Sequence, residues 1–121
     1  MKMQGNAIRD DPKGAARQIP STIPEADQEV LTDPQAKQML LPSMGEAYRN
    51  GADGPAWEDA MLVRPWGFRL EDITIQVQIW HGEADVNNPL QFGEYLRDTI
   101  PDSNATFFSG EGHFFILKRR D

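Results

Sequence analysis

Trp80-His81-Gly82-Glu83-Ala84-Asp85 and Gly110-Glu111-Gly112-His113-Phe114-Phe115 are the stretches on which the reading of this 121-residue chain turns. Each follows a run suited to a β-strand, Ile73 to Trp80 for the first and Ala105 to Ser109 for the second. Between them, Asn88 to Thr99 reads as a helix with Phe92, Tyr95, Leu96 and Ile100 along one side, and Asn88 before Pro89 suits its N-cap. The order strand, loop, helix, strand, loop predicts an α/β unit in which two parallel strands are joined by a crossover helix. Asp85 and His113 then fall just past the C-terminal strand ends, the rim where open α/β sheets hold their ligands.

An acid beside a histidine has a definite chemical use. The carboxylate accepts a hydrogen bond from one ring nitrogen, holds the tautomer, and stabilises the imidazolium formed when the other nitrogen takes a proton. Glu83, two residues before Asp85, is a competing acid, and His81, near the strand end, reads as structural. Taken singly, Asp85 would merely start the turn before Asn87-Asn88-Pro89, and His113 would merely cap the segment that follows. Their joint placement, with Gly82 and Gly112 as positions of close backbone approach, favours a pair that works together.

These motifs resemble the C-terminal part of the α/β-hydrolase family, whose triad runs nucleophile, acid, histidine along the chain. The family's acid motif, His-Gly-x-x-Asp, matches His81-Gly82-Glu83-Ala84-Asp85, so the resemblance assigns Asp85 as the acid and His113 as the catalytic base. Ala47, Tyr48, Arg49, Gly51, Gly54, Trp57 and Arg64-Pro65-Trp66-Gly67-Phe68 also match a pattern of bacterial members. The nucleophile elbow Gly-x-Ser-x-Gly has no counterpart here. Ser21, Ser43, Ser103 and Ser109 all lie in other settings, and there is no cysteine. The resemblance spans essentially the whole chain but only the later half of a typical family member, and it implies two-thirds of a triad.

Upstream of Pro65 the chain is helical and punctuated by proline. Helices are expected over Glu25 to Leu31, over Gln35 to Leu41 after Pro34, and over Ser43 to Asn50, where Ser43 and Glu46 form a capping box and Gly51 the C-terminal stop. A further one opens at Pro55 with Trp57, Ala60 and Met61 on one stripe. By resemblance these are lid or cap helices. The expected organisation is a mobile segment over 1–13, a helical cap-like region over 14–64, and a strand-helix-strand-helix unit over 65–121. In that unit, Phe114 to Leu117 opens a final helix finished by Lys118, Arg119 and Arg120. The expected fold class is α/β, and the resemblance implies a partial α/β-hydrolase fold.

Composition narrows the partners. Lys+Arg 12 against Asp+Glu 19 gives a formal net charge of −7, which repels a phosphate backbone and an anionic membrane, so neither nucleic acid nor membrane is expected. No apolar run approaches the roughly 18 residues of a membrane span, and Met1 to Arg9 lacks the apolar core of a signal peptide, so the expected location is cytoplasmic. A metal site on His81, Glu83, Asp85 and His113 would follow no zinc spacing, and no cofactor or metal is expected. Gly110-Glu111-Gly112 lacks the lysine and hydroxyl residue of a phosphate loop. Trp57, Trp66, Phe68, Phe107 and Phe108 suit either a core or an acyl or aromatic pocket.

The functional expectation is an ester- or amide-type hydrolase part, truncated with respect to the family and inactive alone, acting on a small-molecule substrate once complemented by the missing N-terminal half. The alternative is a non-catalytic binding or self-associating module derived from that fold. Two parallel strands make a poor sheet alone, so a homo-oligomer, or pairing with the missing N-terminal half, is expected.

Overall fold

The computed structural model describes residues 10, 11 and 23–119. The expectations for 1–13, apart from Asp10 and Asp11, and those for Ser21 and Arg120, lie outside the described residues. The fold is mixed α/β. Four α-helices, two 3₁₀ turns and two strands follow one another among the described residues: α1 Glu25–Thr32, α2 Pro34–Ala47, α3 Asp53–Leu62, a turn Leu70–Asp72, β1 Val77–Gly82, α4 Leu90–Thr99, β2 Ser103–Phe108 and a turn Phe115–Lys118. None of these helices is long and apolar enough to cross a membrane.

The chain divides into two compact units. One holds Leu31–Pro65; the other joins Pro24–Val30, most of α1, to the segment that opens at Trp66. In the first unit, α2 runs unbroken where two helices were expected. Asp33 caps it, accepting the Gln35 N–H at 2.8 Å, with Pro34 in the first turn. The helix formers from Ala36 to Leu41 carry it through Pro42, which removes one internal donor and crowds the carbonyl four residues back. Ser43 is therefore interior, its Oγ bonded back to the Met39 carbonyl at 3.0 Å, and no capping box forms. Glu46 pairs with Arg49 at 3.2 Å instead. The helix ends at Ala47 with Tyr48 as its C-cap, so Gly51, at a positive φ of 90°, does not stop the helix as expected but closes the turn that follows, its N–H donating to the Tyr48 carbonyl at 2.9 Å. The next helix opens at Asp53, two residues before Pro55, which sits in its first turn. Trp57 is exposed on it, with the Arg64 guanidinium 5.2 Å from its ring centroid.

In the second unit β1 and β2 pair in parallel, Val77 opposite Ser103 and Gly82 opposite Phe108. The strands start and stop differently from the sequence expectation. Among the described residues no strand lies opposite 73–76, because the first rung is the Val77 N–H to Asp102 carbonyl bond at 2.9 Å, and Ile75 is exposed. Val77, Ile79 and His81 share a face with Ser103, Ala105 and Phe107, and α4 packs there. Trp80 stands on the opposite, exposed face, edge-on to Phe108 at 5.8 Å; Phe108 in turn meets Phe115 at 5.0 Å and carries the Arg119 guanidinium at 4.0 Å.

The face α4 buries matches the expected stripe only at Leu96, half-buried, and Ile100. Gly93 and Ile100 are buried, while Phe92 and Tyr95 point outward. A Cβ on Gly93 would meet the His81 ring and Phe107 at about 3.0 Å, so glycine sets the helix-to-sheet approach and the bulky residues beside it must face away. Asn88 is not a side-chain cap; Pro89 holds the cap position. The last helix is a 3₁₀ turn, short and ended at Lys118.

Candidate functional site

The two loops past the strand ends are stitched together by backbone. The Glu83 N–H donates to the Phe108 carbonyl at 3.0 Å, extending the ladder by one residue, and the Ala84 N–H donates to the Glu111 carbonyl at 2.9 Å. Gly82 makes this possible. A Cβ there would lie closer than 3.0 Å to the backbone of Glu111 and Gly112. Gly110 turns the second loop with φ of 74°. The pleat and the two glycines thus bring Asp85 and His113 to one rim.

There His113 Nδ1 donates to Asp85 Oδ2 at 2.9 Å. The Asp85 side chain is 7% exposed and that of His113 36%, so the acid is shielded and the imidazole reaches the surface. Among the described residues Nε2 of His113 has no hydrogen-bond partner. The other Asp85 oxygen, Oδ1, accepts the N–H groups of Asn87 at 2.8 Å and Asn88 at 2.9 Å. Burial pushes the Asp85 carboxyl up, but the Asn88 amide, the hydrogen bond and charge of His113, and the Asn87 amide outweigh it and hold the carboxyl below its ordinary value. The carboxylate is thus kept ionised and directional.

His81 supports the acid loop. Its Nε2 donates to the Asn88 carbonyl at 2.8 Å, which fixes the tautomer and leaves this ring committed to the backbone. Glu83 is exposed, and the carboxylate on His113 is that of Asp85.

One neighbour was not among the sequence candidates. Asp27, from the first turn of α1, is fully buried, and its Oδ1 accepts the Phe114 N–H at 2.7 Å. Its Oδ2 has no hydrogen-bond partner among the described residues. In sequence Asp27 is indistinguishable from any acid placed at a helix N-terminus for the dipole. Only the pairing across 87 positions reveals it.

No protein-family model, curated protein or solved structure matches the chain.

Proposed function

We propose that this chain supplies the acid and base of a Ser-His-Asp-type triad, as the C-terminal part of an α/β-hydrolase acting on esters or amides. The observation that carries the reading is the Asp85–His113 hydrogen bond of 2.9 Å, with the far side of the carboxylate held by two amides. In this account Asp85 keeps the proton on Nδ1 of His113. Nε2 takes the proton of a nucleophile delivered by another segment and returns it to the leaving group, and Asp85 stabilises the imidazolium between the two steps. The nucleophile and oxyanion donors come from outside the described residues.

The sheet supports a need for partners. In β1 the N–H groups of Val77 and Glu83 face β2, so by alternation those of Gln78, Trp80 and Gly82 face the other way, and no third strand pairs with β1 among the described residues. Such an edge is a template for another chain.

Turnover of a short-chain p-nitrophenyl ester tests the proposal. The chain alone should stay near the uncatalysed rate, and the chain combined with a polypeptide bearing a nucleophile elbow should gain activity that His113→Ala removes. Turnover by the chain alone, abolished by His113→Ala, would contradict the division of labour. A combined form with no gain would favour an interaction module.

A further inference from the structure

Asp27 is a buried carboxylate beside the pair that the proposed chemistry leaves without a task, and its surroundings define one. It grips the peptide on both sides of His113. On the C-terminal side Oδ1 accepts the Phe114 N–H at 2.7 Å. On the N-terminal side the carboxyl group occupies the space a Gly112 Cβ would need, all three of its atoms lying closer than 3.0 Å to that position. Burial of a carboxylate whose Oδ2 lacks a partner among the described residues is costly, and an apolar side chain of similar volume would avoid that cost. What an apolar side chain lacks is the acceptor. We infer that Asp27 is a positioning residue for His113, an inference that rests on the proposed acid–histidine pair: by fixing the backbone at 112 and 114 it sets the direction in which the imidazole leaves the chain, and so the alignment of Nδ1 with Asp85. Lys118 ties the same segment down, reaching Glu111 at 3.5 Å and Glu29 of the Asp27 helix at 3.9 Å.

Nuclear magnetic resonance on the full chain tests this through two reporters, the exchange rate of the Phe114 amide and the ring nitrogens of His113. In the wild-type chain the Phe114 amide should exchange well below the unstructured-peptide rate. Asp27→Ala should speed that exchange by about tenfold or more and let the neutral His113 ring populate both tautomers. Asp27→Asn, which keeps an oxygen acceptor and nearly the same volume, should restore both signals. A folded Asp27→Ala chain with the wild-type His113 spectrum would overturn the inference, as would a wild-type Phe114 amide exchanging like an unstructured peptide. Should Asp27→Ala fail to fold, the wild-type exchange rate and its retention in Asp27→Asn decide. Asp85→Asn separates this claim from the one beneath it. If it leaves the His113 spectrum unchanged the acid–histidine reading fails, while the Phe114 amide still reports on Asp27 alone.

Discussion

Nδ1 of His113 lies 2.9 Å from Oδ2 of Asp85, although 28 positions separate the two residues. A crossover connection creates that proximity: parallel strands end at the same rim, so the residue following each strand meets the other only after a whole helix has intervened. The carboxylate is then locked from behind by Asn87 and Asn88, and the Asn88 carbonyl is itself held by His81. The proposed proton transfer at Nε2 needs such a fixed frame, because a rotated imidazole would present the wrong nitrogen.

In the proposed combination with a nucleophile-bearing segment, Asp85→Asn should lower kcat by about three to four orders of magnitude with little change in folding, since an amide oxygen still accepts the backbone N–H groups. Glu83→Gln, at an exposed position, should leave the rate unchanged. Steady-state kinetics on both variants checks the assignment, and the opposite pattern would move the acid to Glu83.

The same carboxylate makes stability depend on pH in a definite direction. Its folded pKa lies below the ordinary value, so in the interval between the two the unfolded chain binds more protons than the native one. The stabilisation is therefore complete above an unfolded value of about 3.9 and is lost as pH falls through the folded value. Denaturant melts of wild type and Asp85→Ala should differ most near neutral pH, by on the order of 1 to 3 kcal/mol, and converge on acidification. A gap that widens in acid would contradict this.

Gly82 and Gly54 should respond oppositely to alanine. At Gly82 the new methyl runs into the backbone of Glu111 and Gly112, and overpacking of this kind costs about 1 to 3 kcal/mol. At Gly54, in the first turn of α3, it meets nothing within 4 Å, and the reduced freedom of the unfolded chain should stabilise by a few tenths to about 1 kcal/mol. Thermal melts of both variants provide the comparison.

Much of the rim was legible in the sequence because it depends on local signals. The alternating run before His81, the glycines at 82 and 112, and the acid and histidine beyond them all carry their meaning within a few residues. What was misread depends on partners. Ile73 and Ile75 look as much like strand as Val77 and Ile79, and only the start of β2 at Ser103 decides where pairing begins. Phe92 and Tyr95 look like a buried stripe until Gly93 is seen to set the approach of α4 to the sheet. Asp27 could not be singled out, since its partner Phe114 lies 87 positions away.

The edge of β1 that is unpaired among the described residues, with exposed Trp80 beside it, should drive association. Light scattering coupled to size exclusion should show a dimer or larger species at micromolar concentration. Trp80→Lys, which places a charge on that strand, should shift the equilibrium toward monomer. A monodisperse, cooperatively unfolding wild-type monomer would contradict the association.

The tautomer of His113 tests the central claim most directly. Nitrogen-15 spectra of the full chain, recorded with the ring neutral, should show Nδ1 protonated and Nε2 bare, and Asp85→Asn should abolish that preference. A wild-type ring protonated on Nε2, or a tautomer indifferent to Asp85→Asn, would contradict an acid–base pair at this rim.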